Sequence, residues 1–236
     1  MATRAKLPWV RIGTEGLAIV VSILIAFSID AWWDGRQERA RETVLLNGLL
    51  SDFRASEESL DWAIELSGRV VAASEALLEV EPAAAMEMSP AYLDSLLYVV
   101  TGLDLFTPSN GILSSLVASE GLAVISDAEL RFDLARWLQR LGDVEKAQGW
   151  VERHYEDSYR PYLERRVPIL RLAAAWEGAP LAADASTPVH ELLRDIEFVN
   201  VLDSRRDLTD FYLSQLEGAE EDRTRIVTRL VSLTEG

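Results

Sequence analysis

Apolar residues follow two patterns along this chain. From Gly16 to Ile29 they run with no charge among them, bracketed by Trp9 on one side and by Trp32 and Trp33 on the other. That arrangement predicts a membrane-crossing helix with an aromatic belt at each interface. The uncharged run is about 14 residues, short for a span, but the helix from Trp9 to Trp33 would reach roughly 36 Å. Arg11 and Glu15 lie four apart and can pair near the first interface, and Asp30 falls where a carboxylate reaches water. Two rival readings use the same residues. One is a cleaved signal, with basic Arg4, Lys6 and Arg11 ahead of a small-residue site at Ala26-Phe27-Ser28. The other is a buried core helix.

Beyond Gly35 the pattern becomes amphipathic and helical. Leu46, Leu50, Phe53, Glu57, Leu60, Ile64, Ser67, Val71, Ser74 and Leu78 follow alternating steps of four and three, up to Pro82. A short helix is expected from Ser89-Pro90 to Gly102, and another from Ile112 to Ser119. Ser126-Asp127-Ala128-Glu129 reads as a capping box, with the Ser126 hydroxyl on the Glu129 N–H. The helix it opens carries Leu130, Leu134, Trp137, Leu141, Val144, Gln148, Val151 and Tyr155, and Pro161 and Pro168 bend or end it. A last long helix from about Asp195 to Leu233 shows Phe198, Leu202, Leu208, Phe211, Leu216, Ile226, Leu230 and Leu233. No stretch alternates with period two, so no sheet is expected. The fold class is all-α: one N-terminal transmembrane helix, then an antiparallel bundle of three long helices with short connecting helices. The domains are residues 1–35, tail and anchor, and residues 36–236, an extramembrane helical bundle.

Composition narrows the partners. The chain carries 39 acids against 23 Lys and Arg, a net charge of −16. It offers no basic patch to a phosphate backbone, so nucleic acid is excluded as a partner. Weak attraction to anionic lipid leaves attachment to the bilayer to the anchor. There is no cysteine, hence no disulfide and no thiolate site. Lys and Arg flank both ends of the apolar run. The short N-terminal tail lacks acids before Glu15, which favours a cytoplasmic N-terminus and a periplasmic domain at a bacterial inner membrane.

Three pieces resemble a known family. They are Glu15-Gly16-Leu17-Ala18-Ile19-Val20-Val21-Ser22-Ile23-Leu24-Ile25-Ala26-Phe27-Ser28-Ile29-Asp30-Ala31-Trp32, Ser119-Glu120-Gly121-Leu122-Ala123-Val124-Ile125-Ser126-Asp127-Ala128-Glu129-Leu130, and Asp195-Ile196-Glu197-Phe198-Val199-Asn200. They are similar to a bacterial single-pass membrane protein family of uncharacterised function. Its first segment has the form Gly-Glu-Ile-Leu-Leu-Val-Val-Ile-Gly-Ile-Leu-Ile-Ala-Leu-Gln-Ile-Asn-Asn-Trp. Here Asp30-Ala31 stands for Asn-Asn and Ser22 for Gly. The resemblance implies one N-terminal span and an all-helical domain. It implies no activity and no catalytic residue.

Candidate chemistry is sparse. His154 sits among Glu152, Glu156 and Asp157, but the spacing is not the Glu-x-x-His of a di-iron bundle. It reads as a solvated helix face, as does His190-Glu191. Ser114, Ser115, Ser119 and Ser126 lack a nucleophile elbow and read as caps and loop residues. The acid run Glu217 to Asp222 lacks an EF-hand loop and reads as a solvated face. Trp150, Tyr155, Tyr159 and Tyr162 either frame a pocket or form a core stripe; the spacing favours the stripe. No catalytic, cofactor or metal site is expected.

One motif points to partners. Thr14, Ala18, Ser22, Ala26 and Asp30 recur every four residues, a small-residue face along which another helix can approach. Trp9, Arg11, Trp32 and Trp33 are the expected interface anchors. The sequence therefore predicts a non-enzymatic, membrane-anchored accessory or scaffold subunit of a larger membrane complex. Its partners would be other membrane subunits and the bilayer, with a homo-oligomer also open. The alternative is a membrane-anchored helical sensor that binds a small ligand between helices.

Overall fold

A computed structural model describes residues 9–119, 121–169, 172–173 and 187–235, with the side chains of the first helix described from Val20 onward. All regular structure among these residues is helical. The helices are α1 (Trp9–Ala55), α2 (Glu57–Leu78), α3 (Pro90–Val100), α4 (Gly111–Ala118), α5 (Ala128–His154), α6 (Arg160–Glu164), α7 (Val189–Leu192) and α8 (Ile196–Glu235). The domain boundary expected at residue 35 falls inside α1, which continues through it unbroken. Burial in α1 is confined to its last three turns, with Leu46, Leu49, Leu50 and Phe53 buried.

Three rods form the bundle. The first is the end of α1 joined to α2. The long stripe expected from Leu46 to Leu78 is present except at Glu57, which is exposed while Ser56 is buried in its place, and the helix is interrupted by a turn at Ser56. The turn keeps the local ladder, since Ser56 N–H still reaches the Asp52 carbonyl and Leu60 N–H reaches that of Ser56. The buried Ser56 hydroxyl also accepts the Ser109 N–H at 2.8 Å. The second rod is α5, a wide π turn at Tyr155–Tyr159, and α6. Pro161 has no N–H to donate and its ring needs space, and the wide turn just before it accommodates both. The expected bend is thus a widened turn rather than an end.

The third rod, α8, is antiparallel to both others. Its Arg229, Arg225 and Asp222 meet Asp127, Asp133 and Arg140 of α5 in reverse order, and its Arg223 reaches Glu57 at the start of α2. The face it buries is Phe198, Leu202, Arg205, Thr209, Tyr212, Leu216, Ala219, Arg223, Ile226 and Leu230, a regular four-three alternation. Of the positions expected from the sequence, Phe211 is 44% exposed, and Leu208 and Leu233 pack only at the flank.

The capping box at Ser126 is corrected by one residue. Asp127 is the cap of α5 and takes the Leu130 N–H at 2.7 Å. Ser126 instead gives its N–H and hydroxyl to Glu42 Oε1 at 2.6 and 2.7 Å, tying the start of α5 to α1. Asp52 likewise accepts the Ile112 N–H at 2.8 Å and so caps α4 from another helix. The extended segment between α3 and α4 is held the same way. Tyr212 accepts the Phe106 N–H at 3.0 Å, and Arg205 donates to the Gly102 carbonyl.

Candidate functional site

The part of α1 that precedes the bundle is the most unusual surface of the molecule. Every described side chain from Val20 to Asp34 is exposed. Val20, Val21, Ile23, Leu24, Ile25, Phe27 and Ile29 are among them, with Phe27 at 67%. A helix advances 100° per residue, so these large side chains cover about two-thirds of its circumference. The remaining face carries Ser22, Ala26 and Asp30. Of the expected packing stripe, the side chains of Thr14 and Ala18 lie outside the described residues. So do those of the expected anchors Trp9 and Arg11.

At the other end of the arm Trp32 and Trp33 are both exposed, their ring centroids 6.4 Å apart. Arg36 lies over the Trp32 ring at 5.9 Å. A charged stretch follows, Asp34 to Glu42, before the first buried leucine. Among the described residues, no helix is long and apolar enough to cross a membrane. The described part of the apolar run, Val20 to Ile29, spans about 15 Å of helix.

Inside the bundle the other candidates resolve into structural roles. The acid run Glu217 to Asp222 is not a solvated face throughout. Asp222 is 1% exposed and meets Arg136 and Arg140, each at 3.3 Å, and Arg225. Glu220 is held below the usual carboxylate range by its bonds from Arg223. Asp222 is already neutralised by three guanidinium groups, which would repel any further cation brought to it. Among the described residues no cluster of His, Asp and Glu could hold a metal. His154 is also not fully solvated. Its Nε2 is 3.0 Å from the Val201 carbonyl of α8, and burial pushes its pKa down.

The aromatic stripe divides. Tyr159 and Tyr162 are buried, and Tyr162 donates to Asp195 at 2.6 Å while stacking on Phe198. Trp150 is 47% exposed and pairs with Phe211 at 5.6 Å. These rings pack between rods rather than enclose a chamber. The larger cavities are open depressions. One of about 690 Å³ lies between α5 and α8 at Phe132 and Arg229, and one of about 890 Å³ surrounds Trp62. A cavity of about 10 Å³ lies among the rods beside Arg205, too small for a metabolite. Sequence reading missed Arg205 and Asp222 because charged residues at seam positions look like solvent-facing ones. For Arg205 the signal available was its register, in step with Phe198, Leu202 and Leu216; Asp222 lies one position off that alternation.

No protein-family model, no curated protein and no solved structure matches the chain.

Proposed function

We propose that this protein is a membrane-anchored, non-enzymatic accessory subunit that braces a larger membrane complex. The observation that carries the reading is the arm of α1. Its large apolar side chains spread around most of the helix and none of the bundle covers them. A helix apolar over most of its surface belongs in lipid or inside a larger assembly. In this reading the helix from Trp9 to Trp33, with the uncharged run of residues 16–29 at its centre, crosses a bacterial inner membrane. Trp32, Trp33 and Arg36 mark the outer interface, the N-terminal tail is cytoplasmic and the bundle stands in the periplasm. The Ser22, Ala26 and Asp30 face, free of large side chains, is where a partner helix would approach. The sensor alternative is less favoured, because the cavity among the rods has no room for a ligand.

Alkaline carbonate extraction and co-purification test the proposal. The chain should stay with the membrane pellet, and partners should come with it in mild detergent. Ser22→Leu should leave it in the pellet but reduce partner recovery roughly tenfold, the effect of about 1–2 kcal/mol of lost helix packing. Release of the unmodified chain by carbonate would sink the anchor. Full partner recovery with Ser22→Leu would mean that this face meets lipid.

A further inference from the structure

We propose that the bundle holds one small monovalent anion, of chloride size, against Arg205. This inference does not depend on the membrane reading. Arg205 lies on the seam of α8 and is 1% exposed. Its Nη2 donates to the Gly102 carbonyl, but Nε and Nη1 have no acceptor. The Tyr159 hydroxyl, also buried, has no partner either. Arginine keeps its proton at any ordinary pH, so this is a buried positive charge with two idle donors.

Its surroundings compensate it in part. The guanidinium carbon is 5.3 Å from the Tyr155 ring centroid and 6.0 Å from that of Tyr159, and the π turn brings both rings to it. Ring faces attract a cation. They supply neither a countercharge nor an acceptor for each N–H. Among the described residues Arg205 makes no ion pair with a carboxylate, and a buried ion left unpaired is costly.

The cavity beside it is small and partly polar. It measures about 10 Å³, room for one water-sized species. Arg205, Ser67, Thr209 and Tyr212 give it polar walls, and Val70 and Val151 apolar ones. The guanidinium and the Ser67 hydroxyl are the groups there that can face a weakly hydrated monovalent anion, since the Thr209 and Tyr212 hydroxyls already donate to the Arg205 carbonyl and to Gln148. A water molecule would accept from the idle N–H groups but leave the charge unbalanced. Asp104 also borders the cavity and, on its other side, the open depression at Trp62. A water bridging Arg205 to Asp104 is therefore the competing occupant.

Thermal melting of the full chain in detergent, in sodium chloride, bromide or gluconate at equal ionic strength, separates the two. Chloride and bromide should raise the midpoint saturably, by about 5 °C at a hundredfold excess over the dissociation constant, and bulky gluconate should not. Arg205→Met keeps an apolar stem in place and should abolish the difference between salts. Should that variant fail to fold, two measurements on the unmodified chain still decide. Chloride-35 relaxation should broaden saturably with protein, and crystals grown in bromide should give an anomalous peak beside Arg205. Equal midpoints in all three salts, no broadening, or a water oxygen in place of bromide would each overturn the proposal.

Discussion

The arm of α1 and the helix α8 invert the usual relation between composition and burial. The arm is nearly all apolar from Val20 to Ile29, and all of it is exposed. Helix α8 carries charged residues throughout its 40 positions, yet it buries a continuous seam that includes Arg205, Asp222 and Arg223. Burial here follows from what lies opposite. Helix α8 faces α5 on one side and α1 and α2 on the other, so even its polar seam residues find guanidinium, carboxylate or ring partners. The arm faces nothing of its own chain. Apolar surface left uncovered on that scale marks a contact with something else.

Substitutions on the two sides of this contrast should separate cleanly. The largest effect is expected at Trp137, which is 2% exposed and packs on Phe53 at 5.2 Å between ring centroids. Trp137→Ala should cost the bundle about 3–5 kcal/mol in denaturant unfolding followed by circular dichroism. Phe27→Ala, which also removes an aromatic ring, should stay within about 0.5 kcal/mol in the same assay. A comparable loss at both positions would show that the arm packs on the bundle after all.

Asp222→Asn tests whether the polar seam stabilises. It removes the charge that three arginines share, and about 2 kcal/mol should be lost in the same unfolding experiment. An unchanged midpoint would mean that the guanidinium groups hydrate as well without it. Asp127→Ala should cost about 1 kcal/mol, the usual weight of a helix cap. Here pH gives a second handle. The bond from Arg229 and the Leu130 N–H hold the Asp127 pKa below its ordinary value. A group with a depressed folded pKa contributes fully above the unfolded value, about 4, and that contribution fades as pH falls through the folded value. The gap between Asp127→Ala and the unmodified chain should therefore narrow on acidification below about pH 4. A gap constant with pH would assign the cost to lost packing. Smallest of all, Glu129→Gln should move the midpoint by less than about 0.5 kcal/mol, since its pair with Arg229 is largely solvent-exposed.

The legible parts of the fold were those where hydrophobicity and register agree. The α5 stripe from Leu130 to Val151 and the α1–α2 stripe from Leu46 to Leu78 were readable from spacing alone. The seam of α8 was not, because Arg205, Thr209 and Arg223 interrupt it, and reading by hydrophobicity drifted to Leu208 and Phe211. The burial of Ser56 in place of Glu57 was hidden because its partner, the Ser109 N–H, lies 53 residues away. The cap of α5 was misplaced for a similar reason. Ser126 is claimed by Glu42, a contact across 84 residues that no local motif can display. The exposed aromatic and apolar arm was plain in the sequence. Its partner was not, because a surface records the need for cover and not the identity of what covers it.

The position of α8 also orders events in time. Its residues enter both hydrophobic clusters, one with Tyr212, Leu216, Ile226 and Leu230 and the other with Phe198 and Leu202. Of the described helices it is the last to be synthesised. Neither cluster can close until it arrives, and the contacts it makes with Gly102 and Phe106 bridge more than a hundred residues. Folding through such distant contacts is slow compared with the formation of a single helix. The arm is therefore complete, and open to capture by a bilayer or a chaperone, well before the bundle behind it has a core.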